Sequence, residues 1–153
     1  MAQVPDVGAL APEFSLTNTH STPVRLEQFR GGGVLIVFFP FAFSRICHGE
    51  LCELRDNLHR FTGNDVTVLG ISTDSMFALK AWAEQEEYDF DLLSDFWPHG
   101  EVAQRYGVFD ETNGMALRGS FLIDSDGKIA WRVVNERSQP RALDGYFEAL
   151  TQI

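Results

Sequence analysis

Two near-continuous apolar runs, Val34–Phe39 and Val66–Ile71, constrain the fold of this chain more than any other feature. A strand covered on one face alternates apolar and polar residues. A run without that alternation has to be covered on both faces, as in a parallel sheet. Parallel neighbours need a crossover between them. The intervening segment carries Leu51, Leu54, Leu58 and Phe61, spaced 3, 4 and 3, which share one face of a helix. Val34 to Ile71 therefore reads as a right-handed βαβ unit. Pro40 closes the first run, because proline has no amide hydrogen for a ladder and fixes its own φ. Gly63-Asn64-Asp65 ends the helix.

The rest of the chain fits around that unit. Met1–Pro12 is a leading loop punctuated by Pro5, Gly8 and Pro12. Phe14–Leu16 is a short strand, and Val24–Leu26 pairs back on it across the polar turn Thr17–Thr22. Leu26–Phe29 begins a helical turn ahead of Gly31–Gly33. Ser72-Thr73-Asp74-Ser75 supplies cap chemistry for a helix over Met76–Glu87. Phe77, Ala81 and Trp82 are expected on its inner face, with Glu84, Glu86 and Glu87 towards water. Phe90–Leu93 is a further strand and Glu101–Tyr106 a short helix. Ala116–Asp124 and Lys128–Val134 form a hairpin across Ser125-Asp126-Gly127. A final helix starts near Pro140 and turns Leu143, Phe147 and Leu150 inward. The expected fold class is α/β: one domain over residues 1–153, with a mixed sheet and helices on both faces.

Charge narrows the function. Twelve basic and 22 acidic residues give a formal charge of −10, which argues against general binding to nucleic acid or an anionic membrane. No apolar run approaches a membrane span, and the N-terminal stretch lacks a signal-peptide pattern. Two cysteines are a poor disulfide framework for 153 residues. The expectation is a soluble, cytoplasmic protein whose thiols are redox-active or simply buried.

Cys47 stands out among them. It follows Pro40 by seven residues and falls at the start of the crossover helix. There the helix dipole is positive and several backbone amides lack partners. Both effects favour a thiolate.

These residues resemble the peroxiredoxins. Pro40-x-x-x-Ser44-x-x-Cys47 is similar to the active-site motif of that family, and Arg118 in LRGSFLID matches its strand-borne arginine. The segment Leu92–Glu111, LLSDFWPHGEVAQRYGVFDE, is similar to the AhpE-type (alkyl hydroperoxide reductase E-like) branch. The likeness runs from GALAPEFSL, at Gly8, to the last helix. It implies a thioredoxin-like fold and a thiol-dependent peroxidase acting on hydrogen peroxide, organic hydroperoxides or peroxynitrite. Cys47 is then the peroxidatic nucleophile, which becomes a sulfenic acid. Ser44, the Cys47 amide and Arg118 are the donors to the departing oxygen. Pro40 shields the pocket, and Glu50 orients an arginine or the loop. The resemblance further implies no cofactor, a thiol reductant (thioredoxin, mycoredoxin or mycothiol) and a homodimer formed through loops near the site.

Cys52, five residues after Cys47, resembles the resolving cysteine of the PrxQ or bacterioferritin-comigratory branch. Five residues turn a helix by roughly 500° and leave the two Cα atoms roughly 8–9 Å apart, beyond disulfide reach. Bonding requires the first turns to unwind. The alternative is a buried Cys52 and a one-cysteine cycle. Two other functions have partial signals in the chain. His48, Cys52 and His59, at spacings of 4 and 7, offer soft metal ligands, but a face three turns long is too extended for one ion. A disulfide oxidoreductase normally carries C-x-x-C, whereas this chain has C-x-x-x-x-C.

Overall fold

A computed structural model of the chain describes residues 3–153; Met1 and Ala2 of the leading loop lie outside them. The elements follow in chain order. Strands β1 (Ser15–Asn18) and β2 (Pro23–Arg25) form a hairpin, followed by a 3-10 turn over Leu26–Phe29. Strand β3 (Gly33–Phe38) leads to helices α1 (Arg45–Asp56) and α2 (Leu58–Thr62) and then to β4 (Val66–Ser72). Helix α3 (Met76–Glu86), β5 (Asp91–Ser94) and α4 (Glu101–Arg105) come next. A two-strand ribbon, β6 (Phe109–Asp110) with β7 (Met115–Ala116), precedes the hairpin of β8 (Arg118–Ile123) and β9 (Ile129–Asn135). Helix α5 (Leu143–Ala149) and a 3-10 turn, Leu150–Gln152, close the chain.

One seven-stranded mixed sheet runs β2-β1-β5-β4-β3-β8-β9. As the two apolar runs require, β3 and β4 are parallel neighbours at its centre, with Leu35 opposite Val68 and Val37 opposite Gly70. Strand β5 continues parallel to β4, while β8 lies antiparallel on the other side of β3. Alternation along β3 feeds two cores. Val34, Ile36 and Phe38 pack with Leu69, Ile71, Tyr106 and Phe121 on one face. Leu35, Val37 and Phe39 pack with Cys47, Leu51, Leu54, Phe61, Leu79, Trp82 and Tyr146 on the other. Helices α1, α2, α3 and α5 cover the second face, and α4 the first. Among the described residues no helix is long and apolar enough to cross a membrane.

Three local expectations change. The single helix expected through Phe61 breaks at Asn57, whose ψ of 16° ends α1 before α2 restarts. Leu51, Leu54 and Phe61 still share the core, with Leu58 packed at its edge. On α3, Phe77 is 74% exposed and Ala81 is also exposed; Leu79 and Trp82 are the buried residues. Two stripes on that helix are nearly equal in apolar content. Trp82 decides between them, because its ring meets Phe39, Phe43 and Tyr88. That rotation also carries Glu86 out of water, towards Arg55 and His48. Finally, Ala116 belongs to the ribbon with Phe109, so the long hairpin arm begins at Arg118. The turn between β8 and β9 is as expected, with Gly127 at φ 83° and Asp124 accepting from the amides of Asp126 and Lys128.

Candidate active site

The carboxyl end of β3 builds the site. Pro40 is buried where the strand stops, and Phe41–Ser44 loops over to α1. Asp74, beyond the end of β4, tethers that loop by accepting from the Ala42 amide at 2.8 Å and from Ser72 Oγ at 2.7 Å. Phe43 takes a positive φ of 66°, a strained conformation for a bulky residue, with its ring against Trp82. Ser44 stands at the N-cap of α1, but its hydroxyl caps nothing. Ser44 Oγ is buried and, among the described residues, has no hydrogen-bond partner. Arg45, Ile46 and Cys47 open the helix, and amides at these positions have no carbonyl one turn earlier to bond. No acidic residue sits in that first turn to offset its positive end.

Cys47 is fully buried and free. Its sulfur is not enclosed by hydrocarbon alone, because Arg118 Nη1 donates to Cys47 Sγ at 3.3 Å. The same nitrogen donates to Glu50 Oε1 at 2.5 Å, and Arg118 Nε is anchored by the Arg137 carbonyl at 2.6 Å. Glu50, one turn into α1, also receives Arg141: Nη2 at 2.9 Å to Oε1, and Nε at 2.9 Å and the backbone amide at 2.7 Å to Oε2. Arg141 Nη1 donates in addition to the carbonyls of Phe38 and Gly119 and to Ser120 Oγ. A residue at the end of β3 and one at the start of β8 are thus clamped by a single guanidinium.

Burial alone would push the Glu50 carboxyl up, but the hydrogen bonds and charges of Arg141, with Arg118, hold it below its ordinary value. Burial likewise opposes the charge of Arg141, yet Tyr146, Glu50 and Cys47 keep it above the ordinary range. Two buried guanidinium groups against one carboxylate leave one positive charge over. That excess is directed at the Cys47 sulfur through Arg118 Nη1.

The structure therefore brings Cys47, Arg118 and Glu50 into one hydrogen-bonded cluster, with Ser44 and Pro40 on the adjoining loop. Cys52 lies on the other side of α1, half-buried, near His48, Glu86 and Tyr88. His59 is exposed on α2 and takes no part in either group. Sequence reasoning missed Arg141. Its only local signal is a basic residue beside Pro140, ahead of the last helix; the expectation that Glu50 orients an arginine pointed to such a partner without locating it.

Residues 7–132 match the AhpC/TSA family. The chain is 44% identical to alkyl hydroperoxide reductase E of Mycobacterium tuberculosis (strain ATCC 25618 / H37Rv) over 149 residues, 97% of each chain. It is 41% identical to peroxiredoxin Bcp of Escherichia coli (strain K12) over 128 residues, 80% of this chain and 81% of that one. Among solved structures, the reduced 2-Cys peroxiredoxin of Plasmodium vivax superposes with a TM-score of 0.87 at 28% identity, covering 96% of this chain and 81% of the other.

Proposed function

From the premise that this chain belongs to the AhpC/TSA family and is a peroxiredoxin of the alkyl hydroperoxide reductase E type, a thiol-dependent peroxidase on a thioredoxin-like fold, we propose that Cys47 is its peroxidatic residue. The observation that carries this reading is the 3.3 Å contact between Arg118 Nη1 and Cys47 Sγ inside the Glu50–Arg141 cluster. The thiolate attacks one peroxide oxygen. An S–O bond forms, the O–O bond breaks, and the departing oxygen takes the electron pair and a proton. Sulfur is oxidised by two electrons to a sulfenic acid. Arg118, the Cys47 amide and the unpartnered Ser44 hydroxyl are the donors for the departing oxygen. Because Cys47 Sγ is covered, peroxide enters as the strained Phe41–Ser44 loop yields.

Resolution falls to Cys52 in this proposal. Its thiolate attacks the sulfenic sulfur, hydroxide leaves as water, and the disulfide awaits an external thiol. Both cysteines lie within the unbroken helix α1, so that step follows its local unwinding. Thioredoxin, mycoredoxin and mycothiol are the proposed reductants, and hydrogen peroxide, organic hydroperoxides and peroxynitrite the substrates. We place the enzyme in the cytoplasm, acting as one domain and as a homodimer. Support for the last comes from Phe41, Phe43, Phe77, Phe96 and Trp97, all exposed, which gather beyond the carboxyl ends of the parallel strands β3, β4 and β5.

The test is peroxide consumption with a thiol reductant, set against insulin reduction. Turnover of peroxide that vanishes in Cys47→Ser is expected. Full activity in that variant, or insulin reduction without peroxidase activity, contradicts the assignment.

A further inference from the structure

Three donor atoms converge outside the Cys47 cluster. His48 and Cys52 sit one turn apart on α1 and share a face. Glu86, in the last turn of α3, reaches across to them. Cys52 Sγ lies 3.6 Å from His48 Nε2 and 3.8 Å from Glu86 Oε1, and His48 Nε2 lies 3.7 Å from the same oxygen. The three atoms form a nearly equilateral triangle. With Zn–S near 2.3 Å and Zn–N or Zn–O near 2.0–2.1 Å, neighbouring donors of a tetrahedral zinc site stand roughly 3.3–3.6 Å apart. Side-chain adjustments of about a few tenths of an ångström would close this triangle onto one face of such a tetrahedron.

We propose that His48, Cys52 and Glu86 form a tridentate site for a divalent, thiolate-seeking metal ion, zinc by choice of ligands and spacing. Thiolate, imidazole and carboxylate are the three donor types zinc takes from proteins. An ionised Cys52 and Glu86 supply two negative charges against the two positive charges of the ion, and the thiol proton leaves to solvent on binding. The surroundings hold the ligands in place. Arg55 Nη1 donates to the Glu86 carbonyl at 2.7 Å and lies 3.7 Å from Glu86 Oε1, fixing the end of α3 against α1. The Tyr88 hydroxyl, 3.6 Å from Cys52 Sγ, can donate to the sulfur. Solvent reaches the group through His48, whose side chain is 46% exposed. Three protein ligands leave a fourth position for water or another donor. The triad differs from the His48, Cys52 and His59 set suggested by spacing, because α1 ends before His59 and α3 supplies a closer ligand.

Coordination occupies the Cys52 thiolate. If Cys52 resolves Cys47, as proposed above, a bound ion holds back the disulfide. Metal binding itself does not depend on that role.

The experiment is an anaerobic titration of the reduced, metal-free full chain with cobalt(II), followed by thiolate-to-cobalt charge-transfer absorption and then by displacement with zinc. One equivalent is expected to bind and to be displaced. The band should persist in Cys47→Ser, vanish in Cys52→Ser, and need on the order of tenfold more cobalt in His48→Ala and in Glu86→Gln. Absence of the band from the wild-type chain overturns the proposal. So does a band that survives Cys52→Ser, or one indifferent to both His48→Ala and Glu86→Gln.

Discussion

Arg118 and Arg141 divide two tasks between them. Arg118 donates to sulfur, whereas among the described residues the hydrogen bonds of Arg141 go to Glu50, Ser120 and backbone carbonyls. Removing Arg118 takes away the proposed transition-state donor, so Arg118→Ala should slow the reaction with peroxide by about 10²–10³-fold in stopped-flow measurements. An unchanged rate removes Arg118 from the mechanism. Glu50→Gln should also act on stability. It leaves two buried guanidinium groups without their carboxylate, a loss of about 3–5 kcal/mol at neutral pH. The sign of its pH dependence follows from the lowered carboxyl. The unfolded chain takes up this proton more readily than the folded one. The stabilisation is therefore present above the ordinary value of 4.5 and is lost as pH falls through the lower folded value. Urea midpoints measured from neutral to acid pH should show that decline in the wild type and not in the variant. Cys47 and Arg118 were legible in the sequence because a motif and a strand start marked them, and Glu50 because the family resemblance gave it the task of orienting an arginine or the loop. Arg141 was not, since nothing near it in the chain records that its guanidinium spans Phe38 and Gly119, far away in sequence.

Helix α1 contains a weak point between its two cysteines. Gly49 occupies an interior turn, and a Cβ added there would meet nothing within 4 Å. Alanine in place of an interior glycine stabilises a helix by about 0.5–1 kcal/mol. Gly49→Ala should therefore slow formation of the Cys47–Cys52 disulfide while leaving the first reaction with peroxide little changed. Rapid-quench mass analysis separates the two steps; an unaltered disulfide rate argues against unwinding as the route. Helix α4 offers a second test of opposite sign to Glu50. Asp95 accepts from the amides of Val102 and Ala103, and burial nevertheless pushes its carboxyl up to about 6. A raised carboxyl favours folding most below its ordinary 3.8, and that contribution fades as pH rises through about 6. Asp95→Asn should flatten the stability profile across that interval. Element by element, β3, β4 and the inner face of α1 could be read because doubly covered strands and a 3-4-3 spacing have one solution. The rotation of α3 could not, because Leu79 with Trp82 and Phe77 with Ala81 are equal stripes until Phe39 and Tyr88 meet one of them.

At the scale of the molecule, the parallel centre of the sheet sends three loops to one edge. The Cys47 sulfur, the strained Phe43 and the exposed Trp97 all belong to it. An edge bearing that much exposed aromatic surface suits a second copy of the chain more than it suits water. Sedimentation should find a dimer in the reduced wild type that Trp97→Asp shifts towards monomer; a monomeric wild type contradicts this. The formal charge of −10 favours hydration of the rest of the surface and is neutral about the chemistry.

Intact-mass analysis after rapid mixing of the reduced chain with one equivalent of hydrogen peroxide is the sharpest check on the proposed roles of Cys47 and Cys52. A transient gain of one oxygen on Cys47 is expected, followed by loss of two hydrogens relative to the reduced chain as Cys52 closes the disulfide. Cys52→Ser should stop at the added oxygen, and Cys47→Ser should show neither change. Oxygen appearing on Cys52 in the Cys47→Ser chain at the wild-type rate would contradict it.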